Sequence, residues 1–161
     1  MAMISGLVRV MEKAARKAGG KLRRDFGEVE HLQVSRKGPA DFVSKADQIA
    51  ERTLYDELLA ARPDWGFVLE EGGTIEGDPD KPRWIVDPLD GTSNFLHGIP
   101  HFAISIAVQE PKPGGGGWDP GRKPVYRALQ HPNGRDRGTV DLTALSRAAT
   151  AYAGGEAGRQ L

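Results

Sequence analysis

Acidic residues stand at the ends of two apolar runs. Glu70 and Glu71 follow GFVL (66–69), and Asp87 and Asp90 lie within WIVDPLDGTSNF (84–95). Like-charged carboxylates brought close raise one another's proton affinity and repel. A hard cation relieves that repulsion, and Mg²⁺ takes carboxylate oxygens together with water and phosphate oxygens. If the two runs are neighbouring strands, their carboxyl ends bring Glu70, Asp87 and Asp90 together. Pro88 restricts the backbone so that both aspartates can turn toward one spot, with the Leu89 carbonyl beside them. Gly91-Thr92-Ser93-Asn94 then starts a short helix whose free N–H groups would receive an anion. A cation site beside an anion cradle implies phosphoryl chemistry. The competing reading is turn formation alone, since Asp-Pro and Asp-Gly are turn dipeptides. The Glu-Glu pair at the end of the preceding run favours the metal site.

Several elements must position these residues. Residues 3–26 carry Met3, Leu7, Val10 or Met11, Ala14, Ala18, Leu22 and Phe26 at helical spacing. Gly19-Gly20 weakens the middle of that helix by about 1 kcal/mol per glycine. A linker containing Lys37-Gly38-Pro39 follows. Ser44 to Asp47 has the spacing of a capping box, with Asp in place of Glu. It would open a second helix whose stripe is Ala46, Ile49, Ala50, Thr53, Leu54, Leu58 and Leu59, ending near Arg62-Pro63. GFVL and RWIV (83–86) are expected strands, joined by the polar loop GGTIEGDPDKP. In FAISIAVQE (102–110), Phe102, Ile104, Ile106 and Val108 alternate with small residues, as in a strand covered on both faces. The pattern is that of a layered α/β or α+β domain.

The composition of the 161 residues bounds what such a domain would work with. Basic and acidic side chains both number 22, so overall charge selects neither nucleic acid nor membrane. Residues 1–110 carry 14 basic and 18 acidic residues, whereas 111–161 carry 8 and 4. The basic segment is rich in glycine and proline and is expected to be a tail that adds no sheet, with one short helix at 141–153. There is no cysteine, which removes disulfides and thiolate metal sites. No apolar run approaches the roughly 20 residues of a bilayer span, and a cytoplasmic location is expected.

WIVDPLDGTSNF resembles the first signature of the inositol monophosphatase family, D-P-[IL]-D-G-T-x-N-F. FVLEEGG is similar to that family's Glu-Glu motif, and KGPADFVSKAD to its Lys…Asp-x-Val-[ST]-x-x-Asp segment. Order and spacing agree across roughly residues 1–110. LHGIPHFAISIA resembles bacterial members, including those called extragenic suppressor proteins. Leu69 departs mildly, standing where many members have glycine.

The resemblance implies an α+β fold, the N-terminal half of the layered αβαβα sugar-phosphatase architecture, with two helices on a mainly antiparallel sheet. It implies two or three Mg²⁺ ions and hydrolysis of inositol 1-phosphate or similar small sugar phosphates. Glu70, Asp87 and the Leu89 carbonyl would hold the first ion, and Asp87 and Asp90 the second. Glu70 and Thr92 would orient the attacking water, with Asp47 supporting Thr92. Gly91, Thr92 and Ser93 would bind the phosphate, and Lys37 and Glu71 would stand in the outer shell. A homodimer is implied; nucleic acid is not, although the suppressor branch and the basic tail keep a transcription- or RNA-associated role as the alternative. Asp47 has a second reading as a helix-capping residue alone.

The family's second signature, W-D-x-[AG]-[AP], supplies another aspartate to the second ion. Here Trp118-Asp119 sits in a glycine-proline stretch without the small residues that should follow, and the match is expected to be coincidental. The chain is therefore expected to be a C-terminally truncated or frame-damaged member with an incomplete second metal site. His97 and His101 are four apart, but Gly98 and Pro100 between them deny a helical zinc face. They are expected to pack in a loop near the site.

Overall fold

The computed structural model describes residues 2–32, 39–118 and 125–130. Helix α1 (Ala2–Leu32) outruns its expected end, because Val29 continues the stripe of Met11, Ala14, Ala18 and Leu22 into the core. The glycine pair does not interrupt it. Gly19 lies where a Cβ would stand 3.6 Å from the Ile104 side chain, so the helix passes close over the sheet there.

Helix α2 (Pro39–Ala61) corrects the expected capping box. It begins five residues before Ser44, on a proline whose fixed φ and missing N–H suit a first helical position, with Asp41 in the favourable first turn. Ser44 is an exposed mid-helix residue. Asp47 therefore caps nothing; it belongs to the inward face with Val43, Ala46, Ala50 and Leu54. Ile49, assigned to that stripe from spacing, is 47% exposed instead. The helix ends beside Arg62-Pro63 as its sequence indicates.

Five strands form one sheet in the order β2-β1-β3-β4-β5. They are β1 (Gly66–Leu69), β2 (Gly73–Ile75), β3 (Arg83–Asp90), β4 (Ala103–Gln109) and β5 (Val125–Gln130). Only β1 and β3 run parallel; the other three pairings are antiparallel. Strand β2 arises inside the expected loop by folding back on β1. Strand β5 extends the sheet beyond residue 110, where the sequence pattern indicates no further strand. The residues after Gln130, including the expected helix 141–153, lie outside the described part.

Phe67, Leu69, Trp84, Val86, Ile104, Ile106 and Val108 share one face and are buried with the apolar sides of α1 and α2. On the other face Val68, Ile85, Ala103 and Ser105 are half-buried. A short helix, α3 (Thr92–Leu96), is anchored by Phe95, whose ring meets Phe26 of α1 at 5.3 Å and Phe102 at 4.9 Å. Among the described residues, no helix is long and apolar enough to cross a membrane.

Candidate metal and phosphate site

Parallel pairing of β1 with β3 puts Leu69 opposite Val86, where β1 ends and β3 runs on alone beside β4. Glu70 and Asp87 are the next residues on each, close enough for the two carboxyl groups to act on one another's proton affinity. Burial first, and then the neighbouring charge of Glu70, push the Asp87 carboxyl up to about 8. Glu70 is also raised, chiefly by desolvation, with Glu71, Glu51 and Asp90 adding repulsion.

The bend between the aspartates follows from Pro88. Without an N–H it cannot continue the ladder, and the β3–β4 register shifts between Asp87 and Asp90. The Asp87 carboxylate accepts the Leu89 N–H at 3.1 Å, and the Leu89 carbonyl accepts the Thr92 hydroxyl at 2.9 Å. The chain is thereby turned back on itself ahead of α3. Asp90 is exposed at the rim and adds its charge to both Glu70 and Asp87.

Gly91 carries the chain into α3 with φ +91°, a conformation natural to glycine. A Cβ there would also meet the His101 carbonyl oxygen at 2.9 Å. The first ring of the helix closes from the Phe95 N–H to the Gly91 carbonyl, and no side chain caps its start. The N–H groups of Thr92, Ser93 and Asn94 thus precede the first intrahelical bond. Thr92 and Ser93 are exposed.

Helix α2 supplies the inner wall. Asp47 is 5% exposed, and its Oδ1 has no hydrogen-bond partner. Burial, followed by the charges of Glu70, Glu71 and Glu51, pushes its carboxyl up to about 7. One turn on, Glu51 is also buried and accepts the Glu71 N–H at 2.9 Å and the Gly72 N–H at 2.9 Å. Sequence reasoning passes over Glu51. Its signal is nonetheless present: a carboxylate four residues after Asp47, on the stripe that also holds Ala50 and Leu54.

Glu70, Asp87, Asp90, Leu89, Gly91, Thr92, Ser93, Asp47 and Glu71 are thus gathered at one end of the β1–β3 pair. Lys37 and Asp119 lie outside the described residues. Trp118 belongs to a different place, stacked over the Arg83 guanidinium at 4.6 Å with its indole N–H on the Lys81 carbonyl. The His97 ring lies 2.7 Å from the Ser93 carbonyl, and the His101 carbonyl accepts the Asn94 amide at 2.8 Å. Both histidines therefore hold the loop around α3.

Among the described residues, no three acidic or histidine side chains converge on one point closely enough to enclose an ion. The chemistry of the group still fits a hard cation. All donors are oxygen, a buried Asp47 oxygen is unpartnered, and burial with neighbouring negative charge raises Asp87.

Two helices laid on a mainly antiparallel sheet, with acidic residues where β1 and β3 part, make this an α+β domain. The chain belongs to the inositol monophosphatase family, which it matches over residues 4–117. It is 63% identical over 105 residues to an inositol-1-monophosphatase of Rhizobium meliloti (strain 1021), covering 65% of this chain and 40% of that protein. It is 42% identical to the Nus factor SuhB of Vibrio cholerae, over 64% of this chain and 39% of that one. The crystal structure of extragenic suppressor protein suhB from Bartonella henselae superposes with a TM-score of 0.60 at 44% identity, covering 83% of this chain and 53% of that one. The chain spans about 40% of the length of the curated relatives it matches.

Proposed function

We propose that the chain carries the phosphate-cleaving half-site of a Mg²⁺-dependent phosphomonoesterase acting on inositol 1-phosphate or a similar small sugar phosphate. The observation that supports this is the Glu70–Asp87 pair at two parallel strand ends, with the uncapped start of α3 three residues beyond Leu89. In this reading Glu70, Asp87 and the Leu89 carbonyl would hold one magnesium, and Asp87 and Asp90 would help to hold another. Magnesium, when bound, supplies positive charge that polarises the phosphate and lets water attack near neutral pH.

The remaining work falls to the chain. The backbone N–H groups of Gly91, Thr92 and Ser93 receive the phosphate oxygens. Thr92, tied to Leu89 through its hydroxyl, orients the incoming water with Glu70. Asp47, buried on α2 beside the acidic cluster, supports Thr92 in activating that water. Glu71 and Lys37 complete the outer shell. The absence of cysteine agrees with work in the reducing cytoplasm. β2 and β5 are the outer strands among the described residues, and an outer strand left unpaired favours association, here as a homodimer.

Phosphate release from inositol 1-phosphate at millimolar Mg²⁺ is the test, with Asp87→Asn as the control that abolishes it. No release from the wild-type chain, with folding verified by a cooperative melt, would sink the proposal for this chain.

The SuhB relatives favour a second reading, a transcription- or RNA-associated role. Nucleic-acid affinity that falls steeply with added salt would support it, and salt-insensitive or absent binding would remove it.

A further inference from the structure

The most constrained group outside the expected ligand set is the Glu51 carboxylate. Both of its oxygens are committed: Oε2 to the Glu71 N–H and Oε1 to the Gly72 N–H, each at 2.9 Å. These are the first N–H groups after Glu70, where β1 leaves the sheet and turns toward β2. The carboxylate reaches them from α2, twenty residues earlier in the chain, and is 7% exposed. The turn is built closely around it. A Cβ on Gly72 would stand 3.1 Å from Glu51 Oε1 and 2.8 Å from the Leu69 side chain, so the glycine is what lets the backbone approach.

A two-pronged, charge-assisted grip of this kind fixes orientation as well as distance. A buried carboxylate in an already acidic cluster opposes folding unless it is fully used. Glu51 stands one helical turn after Asp47, so the same rigid helix sets both the inner wall of the site and the turn carrying Glu70.

We propose that Glu51 is a positioning residue. By clamping the backbone of Glu71 and Gly72 it holds the Glu70 carboxylate in register with Asp87, and so sets the cation affinity of the site. This rests on the phosphatase reading above, because it needs Glu70 to be a cation ligand. Neighbours that orient ligands in this way typically change metal affinity by about 10–100-fold when altered.

The experiment uses the full chain and Mn²⁺ as the probe, followed by calorimetry and by the electron paramagnetic resonance signal of the free ion. Amide hydrogen exchange of Glu71 and Gly72 is recorded alongside. Glu51→Gln keeps the shape but turns an –NH₂ toward one of the two N–H donors. The expected result is faster exchange at Glu71 and Gly72, unchanged protection in β3 and β4, and Mn²⁺ affinity reduced by about tenfold or more. Faster exchange with unchanged Mn²⁺ affinity would overturn the proposal and leave Glu51 as a turn clamp only, with the phosphatase reading intact. A wild-type chain that binds no Mn²⁺ while folded would overturn the phosphatase reading and this inference together. Should Glu51→Gln not fold, Gly72→Ala decides. It retains the carboxylate but pushes the turn off it, and the same loss of Mn²⁺ affinity is expected; unchanged affinity overturns the proposal.

Discussion

Glu70 and Asp87 each follow the last paired residue of the parallel strands β1 and β3, where burial and the charge of Glu70 raise the proton affinity of Asp87. Sequence separates them by an entire hairpin and a polar loop. The fold places them together at a cost in electrostatic repulsion, and that cost leads to measurable consequences.

Removing the Asp87 charge permanently should help the fold and disable the site. Asp87→Asn takes one charge out of the cluster while preserving shape. The metal-free variant is expected to melt several degrees above wild type at pH 8, by scanning fluorimetry in EDTA. Mg²⁺-dependent phosphate release should fall at least a hundredfold, as for other groups needed only when the site is charged. A lower melting temperature would show that the pair is not a source of strain.

The metal-free chain should lose stability as pH rises through neutrality. Asp47 and Asp87 titrate near 7 and 8 in the folded chain, against an ordinary value of 3.8. Between those limits the native state binds more protons than the unfolded one, so unfolding free energy falls with increasing pH. Glu57 works in the opposite sense at lower pH, because its bonds to Lys17 and Lys13 hold it below its ordinary 4.5. Urea titrations without metal should therefore show greatest stability near pH 4 and progressive loss toward pH 8.

Mg²⁺ should displace the protons that the cluster holds at pH 7. Calorimetry in two buffers of different ionisation enthalpy should reveal proton release on binding, and affinity should rise between pH 6 and 8. Binding without proton release would mean that Asp87 is not a ligand.

Gly91→Ala should damage the phosphate cradle. The added methyl meets a φ of +91° and the His101 carbonyl at 2.9 Å. A loss of about 1–2 kcal/mol in chemical denaturation is expected from the left-handed backbone alone. Phosphate inhibition should weaken in parallel.

Gly20→Ala should act in the opposite direction. Nothing lies within 4 Å of where the added methyl would stand, and the residue sits inside a regular helix. Stability should rise by up to about 1 kcal/mol with Mg²⁺ binding unchanged, measured by urea unfolding and calorimetry.

Sequence alone pointed to the family and to the acidic residues proposed here for its site. Asp87, Asp90 and Glu70 could be recognised because charge at the end of an apolar run is costly and short-range turn residues accompany it. The apolar periods of α1, β1, β3 and β4 were legible for the same reason: burial has a period, and period is written locally. The start of α2 was misplaced because a Ser-x-x-Asp spacing inside a helix looks the same as one at its beginning. Only what precedes it, here a proline able to open the helix at 39, tells them apart.

Tertiary structure decided the rest. Three residues of β2 have too little pattern to announce a strand, and they become one by pairing with β1. The parallel registry of β1 with β3 brings Glu70 to Asp87, a contact that no local spacing encodes. Most clearly, Glu51 looks like any helical glutamate until α2 is laid against the end of β1. There its two oxygens meet the N–H groups of Glu71 and Gly72, because a buried carboxylate must find its donors wherever the fold delivers them.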